Sequence, residues 1–153
     1  MTGSRRALLG ALLLGLSLLA PAAQAADSVR AAILGSWQGT STCVRPAAGP
    51  ACKDEVVLYK FRPVPARTDR VTLDAFKRVG RKWSLMGTMD FTFDSRQGRW
   101  TSEFTTPRFH GLWSFGVRGT DLTGTLVLLP GGTVVRNVAV RRSEGSEGVR
   151  DRD

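Results

Sequence analysis

Histidine is almost missing from this chain of 153 residues: His110 stands alone, and cysteine is confined to Cys43 and Cys52. A structural zinc site takes four ligands, mostly Cys and His, so that chemistry is set aside. A catalytic histidine needs a nucleophile or a carboxylate to work with, and no motif around Phe109-His110-Gly111-Leu112 supplies one. G-x-S-x-G and phosphate-loop patterns are both absent. The 13 carboxylates include no pair that context singles out. Asp54-Glu55 are neighbours along the chain, so on a strand they point to opposite faces and read as solvated groups rather than as an acid/base pair. No long helix-forming stretch separates the strand-like segments, which removes parallel βαβ folds. Beyond the first residues no apolar run is long enough to serve as a stable membrane anchor.

What the N-terminus does have is the parts of a leader: Arg5 and Arg6, an apolar run from Ala7 to Ala20, then Pro21 and the small residues Ala23-Gln24-Ala25. Such a segment is read as an export signal at residues 1–26, cleaved after Ala25 or Ala26, and no nearby cysteine offers a site for a lipid. Ser4-Arg5-Arg6-Ala7-Leu8-Leu9 also resembles a twin-arginine signal, so the general secretory route and the folded-export route both stay open. Either one leads to the periplasm or beyond. In that oxidising compartment, Cys43 and Cys52, with Pro46, Gly49 and Pro50 between them, read as a disulfide closing a loop. The formal charge of +9 rests mainly on arginines spread along the whole chain. They form no dense run, which points to a solvated basic surface and gives no sign of a nucleic-acid partner.

Residues 27–142 are enough for one domain with a modest core. Asp27 to Leu34 reads as a short helix capped by Asp27 or Ser28 and ended by Gly35. From Trp37 the period changes to two, with turn residues every 8 to 15 positions. Eight strands are expected at 36–43, 54–62, 70–78, 84–93, 98–105, 110–118, 121–129 and 133–142. Met89, Phe91 and Phe93 alternate with Thr88, Asp90, Thr92 and Asp94. Trp113, Phe115 and Val117, then Leu122, Leu126 and Leu128, then Val134, Val138 and Val140, repeat the pattern. One-sided strands of this kind pair antiparallel. Short loops such as Asp94–Gly98, Arg118–Asp121 and Pro130–Gly132 make the later strands a meander. A meander of eight loses its raw edges by closing, so the expected fold is all-β, an eight-stranded antiparallel up-and-down barrel, with a two-sheet sandwich as the alternative. Residues 143–153 are rich in Gly, Ser and charge and read as a disordered tail.

Gly35-Ser36-Trp37 resembles the G-x-W motif that opens the first strand of lipocalins and other calycins, and a short helix before it is usual there. The resemblance implies that Trp37 plugs the closed end of the barrel and that a late arginine, Arg136 or Arg141, packs over it. Thr120-Asp121 is similar to the T-D-x motif between the sixth and seventh strands, with Leu122 in place of the usual aromatic. Ala31-Ala32-Ile33-Leu34-Gly35-Ser36-Trp37 is also similar to the start of the small periplasmic protease inhibitors of the alkaline-proteinase-inhibitor type, which share the barrel and one disulfide. Avidins share the size and the number of tryptophans.

A barrel of eight strands either fills with side chains or holds one small ligand. The leading expectation is a monomeric, non-catalytic exported barrel that binds a small hydrophobic molecule without a cofactor or metal. Its candidate lining is Tyr59, Phe76, Trp83, Met89, Phe91, Trp100, Phe104, Trp113 and Phe115, since aromatic and Met side chains pack against apolar ligands. The alternative is a module that binds a periplasmic protein, such as a protease inhibitor acting through residues 27–34. Sequence alone leaves open whether the barrel is hollow.

Overall fold

Every second residue of a strand shares a face, so a chain whose apolar residues keep that period must curl one face inward to bury it. A computed structural model describes residues 21–46 and 52–143. After one helix, α1 (Pro21–Ile33), come eight strands: β1 (Gly35–Cys43), β2 (Glu55–Pro63), β3 (Arg70–Val79), β4 (Lys82–Asp94), β5 (Arg99–Thr105), β6 (His110–Arg118), β7 (Asp121–Leu128) and β8 (Thr133–Arg142). Each pairs antiparallel with the next, and β8 returns to β1 to close the barrel. The sandwich is thereby excluded. Cys43 and Cys52 form the expected disulfide. The expected leader up to Ala20 and the tail from residue 144 lie outside the described residues. Within them, no helix is long and apolar enough to cross a membrane.

The expected helix is present and extends further toward the N-terminus. In the uncleaved chain it begins at Pro21, inside the expected leader, so Asp27 and Ser28 lie within it, whereas the expected cap belongs to the chain cleaved after Ala25 or Ala26, where these residues stand at the start. Pro is pre-organised for a first helical turn and the alanines that follow are strong helix formers, which carries the helix back through residues 21–26. Ser28 instead turns its hydroxyl back to the Ala25 carbonyl at 2.8 Å, and Asp27 pairs with Arg30.

One end of the barrel is shut by α1. Ile33 and Trp37 are both fully buried, and the Trp37 indole Nε1–H donates to the Ile33 carbonyl at 2.8 Å. The arginine over Trp37 is Arg142, whose guanidinium lies 4.3 Å from the ring centroid. It donates to the carbonyls of Leu34 at 2.7 Å and Ala32 at 2.6 Å, closing the C-terminal end of the helix. The expected Arg136 and Arg141 do not take this part. Trp37 pairs with Arg142 across β1–β8, so Arg141, one residue back, points outward and meets Asp121 at 2.9 Å. Arg136 pairs with Cys43 at the far end of the same ladder.

Above this plug the closed half is solid. Phe61, Phe91 and Phe115 meet one another with centroids 5.3–6.0 Å apart, and Phe93 packs on Trp100 at 5.2 Å. Glycines make the room: a Cβ on Gly124 would fall 2.4 Å from the Phe115 ring. Such contacts set aromatic side chains at the favourable tilted and edge-on angles.

Two irregularities matter. The β7–β8 register slips between Leu126 and Val127, and this bulge buries Val135 and leaves Val134 exposed, so Val134 does not share the inner face of Val138 and Val140. A bulge inserts one residue and flips the faces beyond it. The second concerns β4 and β5, which pair only over Thr92–Asp94 with Arg99–Thr101, at the closed end. Toward the other end their ladder stops.

Candidate functional site

The half of the barrel away from α1 is only partly filled. A cavity of about 490 Å³ opens there, lined on its apolar side by Leu73, Ala75, Met89, Trp113 and Phe115 and reached past Leu85, Met86 and Gly87 of β4. Volumes of this size are usual for small-molecule sites. Phe115 serves as the floor: it belongs to the packed half and also faces the cavity. Trp113 stacks on it, centroids 5.8 Å apart and planes 6° off parallel.

A polar cluster occupies the opposite wall. Arg136 donates through Nε to the Ser41 hydroxyl at 2.9 Å and through Nη2 to the carbonyls of Ser41 at 3.0 Å and Lys53 at 2.8 Å. The same Nη2 reaches Glu55 Oε2 at 3.2 Å, while Lys77 Nζ holds Glu55 Oε1 at 3.3 Å. Burial pushes the Tyr59 phenol up to about 12, with the Ser41 hydrogen bond and the charge of Arg136 pulling it only partly back. The phenol is therefore neutral across the physiological range. Each charge in the cluster has partners, which is what lets charged groups line a partly buried wall. The wall is thus rigid and polar, and the facing wall apolar.

Of the aromatic and Met side chains expected to line a site, Tyr59, Met89, Trp113 and Phe115 come together around this cavity. Phe91 and Trp100 are buried in the packed half. Phe104 lies on the inner face of β5 beside Phe109, at 5.8 Å, and does not line the cavity. Phe76 and Trp83 face outward. Ala75 and Lys77 line the cavity, so Phe76 and Arg78 alternate to the outside, and Trp83 is the register partner of Arg78. Lys60 Nζ stands 5.5 Å over the Phe76 ring on that outer surface.

Sequence reasoning missed Ser41, Glu55, Lys77 and the cavity role of Arg136. Glu55, read as solvated, keeps only a fifth of its side chain exposed and bridges two cations. Its opposite-face neighbour Asp54 accepts the Cys43 N–H at 2.8 Å, as alternation requires. The signal that was available is parity: Glu55 shares a face with Val57 and Tyr59, and Lys77 with Leu73 and Ala75. His110 does have a carboxylate beside it, since the β5–β6 register brings Glu103 within hydrogen-bonding reach. The pair lies on the outer surface, outside the cavity.

Comparison with protein-family models and with curated proteins finds no match.

Proposed function

We propose that this chain is a binding protein of calycin-like architecture that takes a small, mainly apolar molecule into the open half of its barrel. The observation that carries the reading is the division of the interior into a packed floor and a partly filled mouth, with aromatic and Met side chains on one wall and a fixed polar cluster on the other. A preformed apolar cavity with a few placed polar groups is the usual form of a small-molecule site. The leader and the disulfide go with export, so the ligand is met outside the cytoplasm. Docking of a protease through residues 27–34 is less favoured, because Ile33 is fully buried and its carbonyl holds Trp37, so that this end of the segment is built into the barrel base.

Gly87 provides the test. It lines the cavity, and an added Cβ there meets nothing within 4 Å. Gly87→Phe therefore fills the mouth without straining the wall. Uptake of the neutral apolar dye N-phenylnaphthylamine, read by energy transfer from tryptophan, is expected for the wild type and lost in Gly87→Phe at unchanged Tm. Equal uptake by both proteins would show that the dye does not enter this cavity and would overturn the reading.

A further inference from the structure

The large apolar side chains left exposed among the described residues are Val44, Val79, Leu85, Met86, Phe109 and Val134. All stand at the mouth. Val44 follows β1, Val79 ends β3, Leu85 and Met86 lie in the early part of β4, Phe109 is in the β5–β6 loop and Val134 opens β8. Around the barrel they fall on three separate sectors, so they form an interrupted ring rather than one patch. Exposed cations are interleaved with them: Arg45 beside Val44, Arg81 and Lys82 at the β3–β4 turn next to Val79, and Arg108 beside Phe109. None of these four takes part in an ion pair among the described residues. The closed end differs. Arg30, Arg67 and Arg141 there are paired with Asp27, Asp69 and Asp121, and Arg70, Arg96 and Arg118 are exposed and in no ion pair among the described residues. The ends therefore differ not in free cations but in that no large apolar side chain is exposed at this one among the described residues.

We propose that the mouth-end rim docks reversibly on an anionic lipid surface. Val79, Phe109 and Val134 enter the headgroup layer, and Arg45, Arg81, Lys82 and Arg108 meet lipid phosphates. A ring of single apolar side chains around an opening fits a plane, and apolar groups flanked by unpaired Arg and Lys are what interfacial binding requires. A protein interface would instead gather its apolar groups in a central patch depleted of lysine. In this orientation the cavity opens onto the lipid, where an apolar ligand is concentrated. The proposal goes beyond cavity binding and stands on different residues.

The test is co-sedimentation of the folded protein with vesicles. Binding is expected to mixed phosphatidylcholine–phosphatidylglycerol vesicles and not to phosphatidylcholine alone. The triple variant Arg81→Gln, Lys82→Gln, Arg108→Gln should lose affinity on the order of a hundredfold. The triple variant Arg70→Gln, Arg96→Gln, Arg118→Gln removes the same charge from the other end and should stay within about threefold, since those sites lie beyond the screening length from the lipid. Val79→Ser with Phe109→Ser should cost about tenfold or more by removing apolar contact. Dye uptake by every variant, measured without vesicles, reports the fold and the cavity separately. The proposal is overturned by absence of binding to anionic vesicles, or by equal losses in the two charge variants. It is overturned in favour of protein docking if the rim supports a complex with another protein while vesicles are ignored.

Discussion

Replacing Arg142 with alanine opens the closed end of the barrel, and the loss can be worked from its contacts. The guanidinium lies 4.3 Å from the centroid of a fully buried tryptophan, an arrangement worth about 1–2 kcal/mol. It also makes two charge-assisted hydrogen bonds, to the carbonyl of Leu34 just after α1 at 2.7 Å and to that of Ala32 in its last turn at 2.6 Å. Such bonds contribute about 1.5–3 kcal/mol when shielded, and the bond to Ala32 is exposed and counts for less. The sum for Arg142→Ala is about 3 kcal/mol. Arg142→Lys keeps the charge but cannot span both carbonyls while covering the ring, so it should recover less than half of that loss. The neighbouring Arg141 is 78% exposed and pairs with Asp121 on the surface, so Arg141→Ala should cost less than about 1 kcal/mol. Urea unfolding followed by tryptophan fluorescence measures all three, with equal m-values as the sign that the unfolding reaction is the same. Equal losses for Arg141→Ala and Arg142→Ala would refute the assignment of Arg142 as the closing residue.

Two further outcomes follow from the interior. Gly124→Ala places a methyl group 2.4 Å from the Phe115 ring and 3.2 Å from the Ser114 carbonyl, and should destabilise by about 2 kcal/mol in the same unfolding assay, as overpacking of a rigid core does. The raised phenol of Tyr59 makes a pH prediction. The unfolded chain ionises this group near its ordinary value of 10.0, whereas the folded one ionises it near 12. The contribution is complete below pH 10 and erodes as pH rises from there to 12, by up to about 3 kcal/mol. Tyr59→Phe should lack this alkaline loss, so the stability difference between the two proteins should narrow or reverse across that window. A constant difference would contradict the burial of an unionised phenol.

Strand positions were readable because alternation is a local signal. All eight observed strands lie within two residues of the positions read from turn residues and period two, since most of them keep one uninterrupted inner face. Where the period breaks, the sequence misleads. Val134 looks like a member of the inner series with Val138 and Val140, but the bulge opposite Val127 leaves Val134 exposed and buries Val135 instead. Trp37 was legible as the plug, yet its arginine partner depended on which residues of β1 and β8 stand opposite each other, and no local pattern carries that. The polar wall was least visible. Ser41, Glu55, Lys77 and Arg136 each sit near the end of a different strand, where charged and hydroxyl groups ordinarily meet solvent, and only closure of β1 against β8 brings Ser41 and Arg136 together across 95 positions of chain.

The central claim is that the mouth half of the barrel is an occupied or occupiable chamber. Native mass spectrometry of the protein purified from the periplasm of a bacterial host, beside its Gly87→Phe variant, tests it most directly. The account predicts a mass excess on the wild type that disappears on denaturation and is absent from the variant; a wild-type mass identical to that of the bare polypeptide, under conditions that keep the barrel folded and saturated with apolar extract, would contradict it.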